Sequence, residues 1–345
     1  MQSTGPHSLV SGWMSSNQIQ NLVYKDTRGW SSLVVGRAGL DLYPQPSGTK
    51  TMTAETFASD VGGSGANIAI AMKRSGGSVA LISALSEDPV GSFVKNRLIR
   101  EGIDIDLMQT TNGDERTSLA IAEERPMDCE VVIYRNNPAD LQVNCNDNIK
   151  LAISNSSNIV VTGTSLIEDH SRNQVLAMMS HANNHDCKVW LDLDYRPWNW
   201  PDESSTRLAY QKASELAHVI VGNEVEFKIL HDDIASQVEH CSSNNQIMIL
   251  KRGENGCTLF SKGCRLDTGI YKLKVMKPFG SGDAFLGNLI MDYMSFGDWK
   301  KAIEAGSAAA AIVVSKQGCA SAMPTQKEIK SLQDSMSIQP KTEWS

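Results

Sequence analysis

The chain has 345 residues, of which 41% are hydrophobic and 21% are charged, and its formal net charge is −7. This composition is ordinary for a globular protein, and the length allows one large α/β domain with an appendage. The negative charge does not favour binding to nucleic acid or anionic lipid. The longest apolar stretches, such as residues 308–314, fall far short of the roughly 20 residues that cross a bilayer. We therefore expect a cytoplasmic protein with small-molecule ligands and neither a nucleic-acid nor a membrane partner.

The N-terminal half combines a polar leader with short strands and helices. Residues 1–30 are rich in Ser, Asn, Gln and Gly without steady periodicity, which predicts a loosely held leader. Helices are expected after the glycine cluster at 62–65 and over about 91–101, where Gly102 ends the second one. Apolar runs and alternation predict strands at 32–36, 40–43, 79–83, 118–123 and 130–134.

From about residue 158 onward, short apolar strands alternate with helix-length segments. These strands are predicted at residues 159–161, 189–191, 219–221 and 247–250, and two helices follow at 282–295 and 299–315. Apolar runs of this kind indicate a parallel sheet covered by helices on both faces. The predicted architecture is a doubly wound α/β domain, whose ligands should bind at the carboxyl ends of the strands.

The strongest candidate for a functional segment is residues 277–285, which read Lys-Pro-Phe-Gly-Ser-Gly-Asp-Ala-Phe. Two glycines and a small residue lead into a predicted helix, whose first-turn amides and dipole attract anions. Asp283 lies in that first turn, where it could accept a proton from a hydroxyl group that attacks a phosphate. The alternative is that Asp283 merely favours the helix N-terminus, as acidic residues do.

A second glycine-rich turn, at residues 62–67, reads Gly-Gly-Ser-Gly-Ala-Asn and also opens a helix. One interpretation is a tight turn that allows close helix packing. The other is a floor on which a sugar lies, with Asn67 offering a donor and an acceptor to its hydroxyl groups.

Together the two turns resemble the paired signatures of the PfkB carbohydrate kinases, and the resemblance extends over about residues 33–323. It implies a ribokinase-like fold, with a doubly wound, mostly parallel sheet flanked by helices and a small β-strand lid. The kinase domain would span residues 31–330 and be followed by a tail at 331–345. The lid strands would come from about residues 40–60 and 117–136, and an exposed apolar lid face would favour a homodimer.

The resemblance also implies ligands and roles for individual residues. ATP would be the co-substrate, with Mg²⁺ held by Glu226 through water and phosphate. Asp283 would be the catalytic base, beside an anion hole formed by Gly280, Ser281 and Gly282. The sugar would contact Asp41, Gly62, Gly63 and Asn67. The ATP side would consist of Asn223, Glu226, Lys251, Gly253, Gly256 and Gly318.

One departure from the family pattern concerns residues 277–279, where Lys-Pro-Phe replaces a triplet that usually begins with an acidic residue. This change leaves the family's monovalent-cation site open to question and adds positive charge near the phosphate. With segments 36–44, 194–197 and 306–315, it resembles one branch of the family. That resemblance implies phosphorylation of the 6-hydroxyl of 5-dehydro-2-deoxy-D-gluconate in myo-inositol catabolism.

Three arginines, Arg37, Arg135 and Arg196, lie at or just beyond predicted strand ends. A guanidinium group suits a carboxylate through two parallel hydrogen bonds, so Arg135 and Arg196 are expected to bind the acid group of the substrate. Lys277 is expected as a third substrate-binding residue, which adds positive potential. A surface ion pair is the simpler interpretation of Arg37. Other activities that remain open are 2-keto-3-deoxygluconate kinase, fructokinase and a non-catalytic sugar-binding protein on the same fold.

Overall fold

The structure is a computed structural model that describes residues 30–339. The predicted leader therefore lies outside the described residues, apart from Trp30, and so does the end of the predicted tail. No helix in the described range is long and apolar enough to span a membrane. The strands, in chain order, are β1 (Trp30–Val35), β2 (Gly39–Gln45), β3 (Thr56–Gly62), β4 (Val79–Ile82), β5 (Ala84–Ser86), β6 (Gln109–Thr111), β7 (Leu119–Ala122), β8 (Val131–Tyr134), β9 (Ser156–Thr162), β10 (Lys188–Asp192), β11 (Val219–Asn223), β12 (Ile247–Lys251), β13 (Cys257–Ser261) and β14 (Cys264–Thr268).

The main sheet has eight strands in the order β14-β13-β12-β11-β10-β9-β1-β4. The six strands from β12 to β4 run parallel, which explains why their sequences are almost continuously apolar. The last two strands form an antiparallel hairpin through Lys262 and Gly263, both with positive φ. The βα alternation predicted from residue 158 onward is therefore wrong over β13 and β14.

Helices cover both faces of the main sheet. Successive strand residues point to opposite faces, so Val34 and Val160 belong to one core, whereas Leu33 and Ile159 belong to the other. The helices are α1 (Ser64–Arg74), α2 (Pro89–Arg100), α3 (Asp147–Ser154), α4 (Asp169–Asn183), α5 (Glu203–Glu215), α6 (Glu224–Leu230), α7 (Ile234–Ser243), α8 (Ser281–Phe296), α9 (Trp299–Val314) and α10 (Gln326–Ser335). This arrangement confirms the predicted doubly wound α/β architecture, with a mostly parallel sheet flanked by helices.

A smaller sheet of four strands, in the order β3-β2-β7-β8, stands apart from the main one. Part of it is open to solvent, since Phe57, Val132 and Tyr134 are exposed. Strand β3 leads directly into the glycine turn before α1, and β8 leads into Arg135. The small sheet therefore carries side chains from both of its ends towards the carboxyl edge of the main sheet.

Candidate active site

Helix α8 begins at the glycine-rich segment with a backbone that favours glycine. Gly280 caps the helix in the left-handed region, with φ +81°, where residues with a side chain are strained. A Cβ atom added there would also lie 3.0 Å from the Cys319 sulfur atom. The N–H groups of the first helical turn have no intrahelical acceptors, so Ser281, Gly282 and Asp283 present their amides at the start of the helix. This geometry is typical of an anion-binding helix N-terminus.

Asp283 lies in that first turn and contacts the second glycine-rich segment. Asn67 Nδ2, from the start of α1, donates a hydrogen bond of 2.8 Å to Asp283 Oδ2. Burial raises the pKa of Asp283 to about 7, and the carboxylates of Asp194 and Asp192 add to this rise. The hydrogen bond from Asn67 and the charge of Arg196 oppose it. A carboxyl group with this pKa can take up a proton near neutral pH.

Near Asp283, two ion pairs lie at the carboxyl ends of β10 and β12. Lys251 Nζ lies 3.0 Å from Asp192 Oδ1, and Arg196 Nη2 lies 2.8 Å from Asp194 Oδ1. Burial raises the pKa of Asp192 to about 6, although Lys251 opposes the rise. A Cβ atom added to Gly282 would lie 3.5 Å from Lys251 Nζ, so this ammonium group borders the first turn of α8.

Asp41 and the double glycine form the wall contributed by the small sheet. A Cβ atom on Gly62 would lie 1.9 Å from Asp41 Cγ, so only glycine allows the carboxylate to occupy its place. Gly63 has φ +97°, and its added Cβ would lie 2.4 Å from the Arg37 carbonyl oxygen. Tyr43 Oη donates to Asp41 Oδ2 at 3.0 Å. The other oxygen, Oδ1, is buried and accepts no hydrogen bond from residues 30–339.

Arg135 follows β8 and reaches across to the main sheet. Its Nη2 atom donates to the Asp140 carboxylate and, at 2.9 Å, to the Thr164 carbonyl oxygen. Its Nε and Nη1 atoms are buried and have no hydrogen-bond partner within the described part of the chain. These donors are left for an acceptor that is not part of the described chain, and a carboxylate is the acceptor that forms the strongest hydrogen bond with a guanidinium group. Arg37, in contrast, is buried and donates to Ser118 at 3.1 Å, so the simple surface ion pair is wrong.

Lys277 does not face the cleft, which corrects the expectation that it binds the substrate. Its side chain is fully buried, and Nζ donates to the carbonyl oxygens of Phe279, at 3.0 Å, and Val313, at 3.1 Å. The aromatic ring of Phe279 lies 4.9 Å from the same nitrogen. The ammonium group is therefore enclosed behind the loop that precedes α8.

Most residues assigned to the ATP side lie at or just beyond the carboxyl ends of β11 and β12, whereas Gly318 lies in the loop after α9. Asn223 ends β11 opposite Lys251, the last residue of β12, and forms a capping box with Glu226. The Glu226 carboxylate accepts the amides of Asn223, at 2.7 Å, and Tyr195, at 3.1 Å. Gly253, Gly256 and Gly318 all have positive φ, which explains glycine at these three turns.

Four further polar residues in or beside this region had no role assigned from the sequence, and Glu124, whose sequence context favoured a solvated loop charge, is buried. Glu124 accepts the Gly318 amide, and Asp60 accepts the Ser321 amide at 2.9 Å, so two side chains of the small sheet contact the loop after α9. The others, at strand ends of the main sheet, are Thr164, Asp192 and Asp194. These three residues lie within three positions of the end of a predicted buried strand, and this placement could have identified them as candidates for the site.

Among the described residues, no three His, Cys, Asp or Glu side chains form a group that could hold a metal ion. A helix N-terminus, a neighbouring carboxyl group with a pKa near 7 and several cations nevertheless converge where the small sheet meets the carboxyl edge of the main sheet, a region that we call the cleft. This combination is typical of sites that transfer phosphoryl groups.

Comparison with known proteins defines the family. The model of the pfkB family carbohydrate kinases matches residues 31–326. The chain therefore belongs to the pfkB family of carbohydrate kinases.

Two curated relatives carry the same name. The chain is 38% identical to a 5-dehydro-2-deoxygluconokinase from Photobacterium profundum, covering 89% of this chain and 95% of the relative. It is 32% identical to the 5-dehydro-2-deoxygluconokinase from Bacillus anthracis, covering 91% of this chain and 97% of the relative. These matches confirm the predicted resemblance and its branch of the family.

Solved structures support the class of fold. A fructokinase from Xylella fastidiosa with bound ATP aligns with a TM-score of 0.77 at 21% identity, covering 88% of this chain and 98% of that one. A double mutant of fructokinase from Vibrio cholerae O395, with fructose, ADP and a potassium ion bound, aligns with a TM-score of 0.76 at 19% identity, covering 89% and 99%.

Proposed function

We propose that this carbohydrate kinase transfers the γ-phosphoryl group of ATP to the 6-hydroxyl of 5-dehydro-2-deoxy-D-gluconate in the breakdown of myo-inositol. The observation that carries the proposal is Asp283, a carboxyl group with a pKa of about 7 in the first turn of α8. The names of the curated relatives support the substrate, because the chain covers nearly their full length.

In the proposed reaction, the ionised Asp283 accepts the proton of the 6-hydroxyl as its oxygen attacks the γ-phosphorus atom. The bond between that phosphorus and the bridging oxygen of ADP breaks, and ADP leaves with the electron pair. The amides of Gly280, Ser281 and Gly282 would hold the transferring group, because they lie at the positive end of the α8 dipole. Asn67 keeps the carboxylate of Asp283 oriented towards the cleft.

ATP and Mg²⁺ are assigned to the main-sheet side of the cleft. We propose that Lys251, Gly253, Gly256 and Gly318 contact the nucleotide, and that Asn223 and Glu226 hold the Mg²⁺–phosphate assembly. Mg²⁺ commonly keeps several waters and binds phosphate oxygens, so this assembly needs no direct cage of protein carboxylates. When bound, Mg²⁺ would neutralise negative charge on the phosphates. Because Glu226 already accepts two main-chain amides, its expected contact with Mg²⁺ is through water.

The sugar acid is assigned to the wall formed by the small sheet. Asp41 Oδ1 and Asn67 Oδ1 are buried acceptors without a partner in residues 30–339, and both suit hydroxyl groups of a sugar. The unpaired Nε and Nη1 atoms of Arg135 suit a carboxylate, and the partly exposed guanidinium group of Arg196 is the second candidate. A neutral sugar offers these donors only uncharged oxygens, whereas an acid offers a charged acceptor and a stronger hydrogen bond, which favours an acid as the substrate.

ADP release, measured with ATP and Mg²⁺ across a panel of sugars and sugar acids, tests this proposal. We expect 5-dehydro-2-deoxy-D-gluconate to give the highest kcat/KM, ahead of 2-keto-3-deoxygluconate and fructose, with phosphate on the 6-oxygen of the product. Asp283→Asn is the control for contaminating kinases. A higher kcat/KM for fructose would contradict the assigned substrate, and ADP release unaffected by Asp283→Asn would contradict the assigned base.

A further inference from the structure

The ammonium group of Lys277 lies where two structural elements meet behind the anion-binding turn. Its first acceptor, the Phe279 carbonyl, comes directly before Gly280, the cap of α8. Its second acceptor, the Val313 carbonyl, lies in the last turn of α9, 36 residues further along the chain. Main-chain bonds from Met276 and Lys277 to the Val314 carbonyl join the same two elements. Lys277 is therefore a cross-link between the loop that forms the anion hole and the end of α9.

The family resemblance implies a monovalent cation in this region for many members, and the residues of this chain do not fit one. Backbone carbonyls are the ligands that replace the hydration shell of potassium ions in proteins. Here two carbonyls that could serve a free ion are already bound by an ammonium group of the chain. An ammonium has three donors and no acceptor, so it matches such carbonyls without a bound ion.

We propose that the Lys277 ammonium is a built-in monovalent cation, so that phosphoryl transfer by this chain does not depend on potassium. This inference rests on the proposed kinase function of the same site. Lys277 is a positioning residue in this account, because it holds the Phe279 carbonyl and thereby the turn at Gly280 without touching the substrate. The Phe279 ring, 4.9 Å from Nζ, stabilises the enclosed charge further.

The charges around Lys277 are consistent with this role. Burial lowers the pKa of Lys277, whereas Cys319, Glu124, Asp283 and Asp41 all act to raise it. Three of these groups are carboxyls, and two of them, Asp41 and Asp283, belong to the proposed sugar and base positions. The ammonium group of Lys277 therefore interacts electrostatically with the proposed sugar and base positions while it bonds to the two carbonyls behind the turn.

The first test uses the wild-type protein in buffers that contain potassium, sodium or tetramethylammonium as the sole monovalent cation. We expect turnover with ATP and the sugar acid to agree within about twofold across the three salts. An increase of about tenfold or more with potassium would overturn the proposal. This test uses only the wild-type protein, so its result can be interpreted even if a substitution at position 277 prevents folding.

The second test compares Lys277→Ala with Lys277→Met. The alanine variant leaves space and two free carbonyls, whereas methionine fills the space without charge. We expect both to lose about tenfold or more in kcat, and only Lys277→Ala to recover with potassium or ammonium ions. Full activity of Lys277→Ala without these ions, or loss that neither ion restores, would overturn the proposal. Lys274→Ala, an exposed lysine on the same segment, is the matched control and should behave like wild type.

A binding measurement separates this inference from the proposed function. Thermal unfolding of Lys277→Ala in potassium should give a higher Tm than in sodium, because a ligand that binds the folded state stabilises it. The wild type and Lys277→Met should show no such difference. This result does not depend on which sugar is phosphorylated, so a failed substrate panel leaves it intact. Equal Tm values for Lys277→Ala in the two salts would count against the cation site itself.

Discussion

Burial and the nearby carboxylates of Asp194 and Asp192 make the ionised form of Asp283 unfavourable. The proposed catalysis nevertheless requires that ionised form. Its pKa of about 7 sets the expected pH dependence of kcat/KM, which reports groups of the free enzyme. Below pH 7 the base is protonated, so kcat/KM should fall about tenfold per pH unit, and above it the rate should level off. Asn67→Ala removes the hydrogen bond that stabilises the ionised form of Asp283, so the midpoint of the pH profile of this variant should move to higher pH. A flat profile between pH 5 and 8 would contradict Asp283 as the base.

Asp283→Asn separates the catalytic role of this residue from its effect on stability. Turnover should fall by about 10² to 10⁴, the range for a positioned base. The pKa of Asp283 is about 7 in the folded state and 3.8 ordinarily, so ionisation of this group destabilises the folded state. This loss of stability is complete above pH 7 and absent below about pH 4. The variant should therefore have a higher Tm than wild type at pH 8 and an equal one near pH 4. A lower Tm at pH 8 would show that the carboxylate stabilises the fold.

The turn between β3 and α1 is built around a contact that only glycine allows. In Gly62→Ala the new methyl group overlaps the Asp41 carboxylate, so Asp41 must move from its bonds. We expect KM for the sugar to rise about tenfold or more, the effect of weakening one charged hydrogen bond, with little change in KM for ATP. Steady-state kinetics check this. Gly113→Ala, at an exposed position, is the control, and equal KM values in the two variants would remove Asp41 from the sugar site.

Strands and helices with strong periodicity were predictable from the sequence, and the joints between them were not. Helix α8 at Ser281–Phe296 and α9 at Trp299–Val314 agree closely with the predicted ranges. The hairpin of β13 and β14 was missed because β14, which reads Cys-Arg-Leu-Asp-Thr, has no continuous apolar run and because strands alternating with helices were expected there. Lys262 and Gly263 carried a turn signal that this pattern obscured.

The site was predictable where a short motif carries it and not where distant segments meet. Asp283 and Asn67 each belong to a glycine-rich turn, so both were identified as candidates. The enclosure of Lys277 depends on Val313, and the pairing of Lys251 with Asp192 joins strand ends 59 residues apart. Such contacts follow from the order of strands and the packing of α9, which local sequence patterns do not contain.

Across the whole molecule, the cleft lies between two sheets, and its positive charge is local. The chain has a formal net charge of −7, yet Arg135, Arg196, Lys251 and Lys277 all lie at or behind this cleft. Arg135 links the two sheets, since it follows β8 and donates to Thr164 in the loop after β9. A carboxylate bound by one of its free donors would hold the small sheet against the main one. Arg135→Ala would leave the Asp140 carboxylate buried and unpaired, so this variant would lose fold stability as well as substrate binding.

Arg196 gives the cleaner test of the acid substrate, because its side chain is partly exposed and its removal leaves no cavity in the core. Losing one partner of a charged hydrogen-bonded pair costs about 2 to 5 kcal/mol, so Arg196→Ala should raise KM for the sugar acid at least tenfold. A neutral ketose never uses that contact, and its KM should change much less. The matched control is Arg207→Ala, which removes an exposed ion pair with Asp232 away from the cleft. Equal losses for the acid and the ketose would show that Arg196 acts on the phosphoryl group or on Asp194, and the carboxylate contact would then belong to Arg135 alone.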